Sequence, residues 1–195
     1  MLKIHTLTLG LYQTNTYIIH EENSKSCCVI DPGYQPSTIL EKLDNLGLTL
    51  DAILLTHGHF DHVGAVKDLA ADTDCRVFLC ADETQMPPMF TAGPLYYTDT
   101  YGEGSILNIA GLYIHVLHTP GHTPGGVCLI AEDAMFTGDT LFARACGRTD
   151  IGGDWATLLK SLNRLRGMEA NFRIFPGHGE STTLAEEKKY NPYMR

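Results

Sequence analysis

Apolar and polar positions near the start of the chain fall into short runs with the character of strands. Leu2 to Leu9, Thr16 to His20 and Cys27 to Ile30 are each rich in β-branched or apolar residues, and turn-prone Gly, Asn and Ser separate them. Asp31-Pro32-Gly33 stops the third. The period then changes. Ile39, Leu40, Leu43 and Leu46 recur at helical spacing over Pro36 to Leu46, Gly47 ends that run, and Ala52 to Leu55 follows as a short buried strand. Thr56 to His62 fits neither period. Helical spacing resumes from Val63 to Ala71 and leads to the apolar strand Arg76 to Leu79, so the intervening run sits on a strand-to-helix loop.

Thr84 to Gly104 carries three prolines, three glycines and the aromatic residues Phe90, Tyr96, Tyr97 and Tyr101. That composition predicts a surface excursion, and its aromatic residues fit the wall of a pocket as well as packing on the core. The strand style returns with Leu112 to Leu117, loop His118 to Gly126, strands Val127 to Ala131 and Ala134 to Phe136, and a loop containing Asp139. Asp154 is placed to cap a helix from Trp155 to Arg166. Strand Arg173 to Phe175 ends in Pro176-Gly177-His178-Gly179, and a terminal helix is expected over Thr182 to Lys189. Histidines and aspartates recur where strands end.

At 195 residues and 44% hydrophobic, residues 1–195 form one domain with one substantial core. The net charge of −9, with no run of Lys and Arg longer than Lys188-Lys189, offers no field for nucleic acid. The N-terminus has no basic segment leading into a long apolar core, and no stretch approaches the roughly 20 apolar residues of a membrane span. A cytoplasmic protein is expected. The six cysteines form no C-x-x-C pair and mostly lie in strand-like runs, so they read as buried free thiols, neither disulfides nor metal ligands.

Three of the nine histidines and an aspartate fall within Thr56-His57-Gly58-His59-Phe60-Asp61-His62. Imidazole and carboxylate suit Zn²⁺, Fe²⁺ and Mn²⁺. Alternate residues of an extended loop point the same way, so His57 and His59 suit one ion, and Asp61 and His62 suit another.

This T-H-x-H-x-D-H run resembles the signature of the metallo-β-lactamase fold, and the resemblance covers nearly the whole chain. Thr119-Pro120-Gly121-His122-Thr123-Pro124-Gly125, Phe136-Thr137-Gly138-Asp139-Thr140 and Pro176-Gly177-His178-Gly179 resemble that family's third-histidine, bridging-aspartate and last-histidine motifs. The resemblance implies an αββα sandwich of two mixed β-sheets flanked by helices. It implies one metal, zinc with iron or manganese as alternatives, on His57, His59 and His122, and a second on Asp61, His62 and His178. Asp139 would bridge the two. His118 matches nothing in the motif and reads as a supporting residue, and Arg148 and Asp150 resemble a G-R-x-D ion pair that braces the Asp139 loop.

Two divalent ions sharing a water lower its pKa, which makes hydrolysis the expected reaction, with Asp61 or Asp139 as proton acceptor. Within the superfamily the chain resembles the glyoxalase II group, which implies hydrolysis of S-2-hydroxyacylglutathione thioesters. Only 17 residues follow His178, so the helical domain that binds glutathione in longer members is not expected here. The substrate is therefore expected to be a small molecule, a glutathione or related thioester. The alternative is an iron-dependent persulfide dioxygenase, which shares the signature and uses a single metal. A secreted β-lactamase and an RNA-processing nuclease fit less well, for want of a leader segment and of positive charge.

Overall fold

The computed structural model describes residues 1–195. Its first sheet takes six strands in chain order: β1 (Leu2–Leu9), β2 (Thr14–Glu21), β3 (Ser26–Ile30), β4 (Thr49–Leu54), β5 (Arg76–Cys80) and β6 (Asp99–Tyr101). The first three pair antiparallel, and β3 to β6 pair parallel. The second sheet takes β7 (Ile106–Ile109), β8 (Leu112–His118), β9 (Val127–Ala131) and β10 (Ala134–Gly138). Beyond a ribbon of β11 (Leu141–Phe142) and β12 (Ala145–Cys146), it is completed by β13 (Arg173–Pro176) and β14 (Thr182–Thr183).

Side-chain alternation assigns the two faces of each sheet. In β2, Tyr17 and Ile19 point between the sheets, where they meet Leu54, Phe78, Ile114, Leu129 and Phe136. Ile18 points the other way, with Val29, Ile53 and Val77, against α1 (Pro36–Leu46) and the helical segment after β4. The outer face of the second sheet, with Cys128, Met135 and Ile174, is covered by Leu158, Leu162 and Leu165 of the helix Trp155–Arg166 and by Leu184. Four layers result, helix–sheet–sheet–helix, the αββα sandwich expected from the sequence. No helix is long and apolar enough to cross a membrane. All six cysteines are free, five buried and Cys146 half-buried.

Phe136 sits at the middle of the intersheet core, 1% exposed, with its ring centroid 5.1 Å from that of Tyr17 and 5.2 Å from that of Phe175. Phe136→Ala is expected to cost about 3–5 kcal/mol. The urea midpoint at unchanged slope measures it.

The topology brings the strand ends to one edge. β3 and β4 run parallel, and β8, β10 and β13 share a direction because β9 is antiparallel to both β8 and β10 while β13 is parallel to β10. Their C-terminal loops carry Asp31, His57 to His62, His122, Asp139 and His178. Hydrogen bonds lock the two sheets together there. Val127 N–H donates to the Thr56 carbonyl at 2.9 Å, Asn15 N–H to Gly177 at 2.8 Å, and the Tyr17 hydroxyl to Pro176 at 2.6 Å.

The helix expected over Val63 to Ala71 is two pieces, α2 (Phe60–Val63) and α3 (Val66–Thr73). Between them the Ala65 N–H donates to the Pro32 carbonyl at 2.9 Å instead of to the preceding turn, so the chain takes a step, and Gly64 gives room for that approach because a side chain there would strike the Gly33 carbonyl. The excursion contains α4 (Pro88–Thr91) and then returns as edge strand β6. Asp154 caps α5 (Trp155–Arg166), accepting from Thr157 N–H at 2.8 Å. The terminal helix α6 (Leu184–Tyr190) begins after β14, which claims Thr182 and Thr183.

Candidate metal centre

Five imidazoles converge on the sheet edge, and each has one ring nitrogen tied outward. His59 Nε2–H donates to the Ile151 carbonyl at 3.0 Å, His122 Nδ1–H to Arg148 at 2.6 Å and His178 Nδ1–H to Tyr12 at 3.0 Å. His62 Nδ1–H donates to Asp31 Oδ2 at 3.0 Å. The fifth tautomer follows from a relay. Thr56 Oγ1 donates to Asp31 Oδ2 at 2.5 Å, so toward His57 Nδ1, 3.1 Å away, that oxygen accepts. His57 Nε2 is then a bare lone pair, buried with no hydrogen-bond partner.

The inward nitrogens face one another. His59 Nδ1 is 2.9 Å from His122 Nε2, and His62 Nε2 is 3.3 Å from His178 Nε2. At His59 and His122 the protons are committed outward and lone pair is set against lone pair, an arrangement that asks for a cation, while at His62 an ion would take the place of the Nε2 proton. Two nitrogens about 2.0–2.1 Å from one tetrahedral ion stand roughly 3.3 Å apart. Ligand atoms of His57, His59 and His122 lie within 4.8 Å of each other, and so do those of Asp61, His62 and His178. Asp139 lies between the groups, Oδ1 3.4 Å from His62 Nε2 and Oδ2 3.5 Å from His122 Nε2 and 3.6 Å from His178 Nε2. Its Oδ1 is buried without a hydrogen-bond partner. The chain therefore brings all seven sequence-selected residues together, and the donors fit two divalent ions.

Charge in the cluster is opposed by burial. Burial pushes the His57 imidazole well below its ordinary range, and burial with the neighbouring His122 lowers His59 to about 4. Burial also lowers His62, but Asp139, Asp31 and Asp61 more than offset it and lift that imidazole to about 9. Burial raises the Asp61 carboxyl, yet the His178 imidazole 3.3 Å away and the His62 charge hold it at about 2.

Two carboxylates that the sequence did not single out support this arrangement. Asp31, 2% exposed, also accepts from Thr56 N–H at 2.7 Å and so fixes both the loop and the His62 ring. Glu83, fully buried, accepts from Gly58 N–H at 2.7 Å with one oxygen and from Gly125 N–H at 2.7 Å with the other. It joins the loop of His57 and His59 to the loop of His122. Glu83→Ala strands two buried donors at about 1–3 kcal/mol each. We expect a loss on the order of 2–5 kcal/mol by urea denaturation, with weaker metal retention at His57, His59 and His122 on dialysis. Gly177 is needed for close approach, since a Cβ there would lie 2.2 Å from Asp139 Oδ1.

His59, His122 and His178, with Asp61 and Asp139, form the floor of a cleft of about 450 Å³. Tyr12, Phe60, Phe142 and Ile151 supply apolar walls, and Cys146 and Arg148 complete the rim. Of the excursion's aromatic residues only Phe90 comes near, its ring centroid 6.4 Å from that of His59. Tyr101 is instead a core residue whose hydroxyl donates to the Leu55 carbonyl at 2.5 Å. The Arg148–Asp150 pair is bidentate and exposed, so what Arg148 gives the centre is its carbonyl, the acceptor for His122. His118 lies outside the cluster, with Nε2–H donating to the Pro124 carbonyl at 3.0 Å.

The model of the Metallo-beta-lactamase superfamily matches residues 9–178, a span that holds every residue of the cluster. Over 209 residues the chain is 32% identical to hydroxyacylglutathione hydrolase GloC of Haemophilus influenzae, with 99% of the chain and 98% of that relative covered. It is similar to the structure described as BLEG-1 B3 metallo-beta-lactamase, with a TM-score of 0.89, 33% identity, and 100% and 99% of the two chains covered. It is also similar to TTHA1623 in a di-iron-bound form, with a TM-score of 0.85, 36% identity, and 97% and 99% covered.

Proposed function

The chain belongs to the metallo-β-lactamase superfamily, and on that footing we propose that it is a metallo-hydrolase, a dinuclear, glyoxalase II-like thioesterase acting on S-2-hydroxyacylglutathione or a related thioester. His57, His59 and His122 are proposed to hold one divalent ion, Asp61, His62 and His178 a second, and Asp139 both. The observation that carries this is the convergence of imidazole nitrogens beneath an open cleft, the bare pair of His59 and His122 at 2.9 Å and the pair of His62 and His178 at 3.3 Å. Zinc is proposed as the occupant, with iron as the rival that the similar di-iron structure supports.

Bound there, the ions would supply a water of lowered pKa and positive charge for a developing oxyanion and a departing thiolate. The chain's own residues set the rest. Outward hydrogen bonds to Ile151, Arg148, Tyr12, Asp31 and Thr56 hold the five rings in the tautomer that presents a lone pair inward. Asp61 and Asp139, the two carboxylates that line the cleft, are the proposed proton acceptors. Tyr12, Phe60, Phe142 and Ile151 give apolar contact to the acyl and thiol groups beside the scissile bond. The imidazoles of the floor are committed to the centre and supply no proton to a leaving group, so one that departs without a proton fits best. A thiolate, with a thiol pKa of about 8.5, does so more readily than an amine.

The test is turnover of S-lactoylglutathione and of glutathione-free acyl thioesters by metal-loaded protein, with a chelated control. Chelator-sensitive hydrolysis is expected, and chelation should also lower the melting temperature, since ions bound at about a thousandfold above their Kd contribute about 4 kcal/mol. Failure of every thioester with two ions bound overturns the proposal. Oxygen uptake with sulfite formation from a persulfide would replace it with the oxidoreductase reading.

A further inference from the structure

One cluster of ligating side chains lies outside the centre described above. Cys80 ends β5, Asp82 follows two residues later, and His118 ends β8. The Cys80 sulfur, an Asp82 carboxylate oxygen and a His118 ring nitrogen all lie within 4.8 Å of one another. We propose that these three side chains form a further metal site that takes one zinc-class ion, with solvent completing its coordination.

The donor set argues for that class. Thiolate, imidazole and carboxylate are zinc's three protein ligand types, and the thiolate discriminates against magnesium, calcium and manganese. The group runs from inside to outside, with Cys80 2% exposed and the Asp82 side chain 64% exposed, so an ion can enter from solvent and retain water. The His118 ring is already positioned: Nε2 lies 3.0 Å from the Pro124 carbonyl and 3.7 Å from Asp82 Oδ2. Nε2 is the nitrogen that faces both groups, so in taking an ion it would exchange its bond to the Pro124 carbonyl for the metal. Binding would replace the Cys80 thiol proton by the ion, and that proton passes to solvent. The absence of a C-x-x-C pair gave no reason to expect a thiolate ligand, because the partners come from separate strands.

The placement gives the site a role. Cys80 leads into the segment that carries Glu83, and His118 opens the loop that carries His122. An ion here would tie the two segments that Glu83 already joins through Gly125 N–H, and so would stiffen the support of the main centre from outside it.

Cobalt titration of the reduced, full-length protein tests this, because none of the seven residues of the main centre carries a thiol. The expected result is near-ultraviolet thiolate-to-cobalt absorption at saturation. It should fall at least tenfold in Cys80→Ser and in the part-exposed variant His118→Ala, with one fewer cobalt bound per chain in each. Cys146→Ser, which removes the thiol lining the cleft, should keep the absorption. No such band at saturating cobalt, or a band that survives Cys80→Ser, overturns the site. The readout is the difference of one ion between wild type and variants, so it stands or falls separately from the thioesterase assignment.

Discussion

Asp139→Ala is expected to bind at least one fewer metal ion than the wild type and to hydrolyse thioesters slower by a factor on the order of 10³, while folding as well as the wild-type chain does without metal. The reasoning rests on what Asp139 touches. Its oxygens stand 3.4 to 3.6 Å from ring nitrogens of both ligand groups, and Oδ1 has no hydrogen-bond partner in the protein. Truncation therefore strands no backbone donor and removes a carboxylate that faces both ligand groups. Metal analysis, turnover and the urea midpoint of the metal-free proteins together read this out. Asp139→Asn keeps the shape and loses the charge, and should fail in the same direction. Full activity in Asp139→Ala would remove it from the centre.

Asp31→Ala has the second large effect and the opposite signature, because its damage reaches the metal-free protein. Both Asp31 oxygens are occupied, by Thr56 N–H, Thr56 Oγ1–H and His62 Nδ1–H at 2.7, 2.5 and 3.0 Å. Removing the carboxylate unpairs a buried network, at about 3–5 kcal/mol. It also frees the His62 ring and, through Thr56, the tautomer of His57. Affinity for the ion at Asp61, His62 and His178 should fall by about 10–100-fold. Urea denaturation of the metal-free variant and competition against a chromophoric chelator measure the two parts. A variant that loses affinity without losing stability would mean that Asp31 is a ligand rather than a support. Ligand atoms of Asp31, His57 and His62 do also lie within mutual reach.

The contrast between these aspartates marks what could be read from the chain. Asp139 stood in a motif, and His57, His59, Asp61 and His62 stood within six residues, so local density alone pointed to metal. Asp31 looked like a turn residue in Asp31-Pro32-Gly33, and its role depends on parallel pairing of β3 with β4, which sets it beside Thr56. Glu83 sat in a polar stretch with no periodicity, and only the approach of two separate loops reveals its bridging carboxylate. The one local signal of this support is Thr56, a hydroxyl immediately before the histidine run. Among the elements, both sheets were legible because alternating residues separate the intersheet core from the helix-facing sides, as Tyr17 and Ile18 do. Short pieces were not. β6 spans three residues inside a Pro- and Gly-rich run, and the break between α2 and α3 comes from the bond of Ala65 N–H to the Pro32 carbonyl, a contact absent from local pattern.

Stepwise reconstitution of the chelated protein with zinc, following thioester turnover against ions bound at His57 to His62, His122, Asp139 and His178, tests the dinuclear assignment most directly. It is best made on the Cys80→Ser background, so that only the main centre fills. Little activity is expected at the first equivalent and a rise that completes at the second, with Asp139→Ala flat throughout. Full turnover at one equivalent, unchanged by the second, would contradict it.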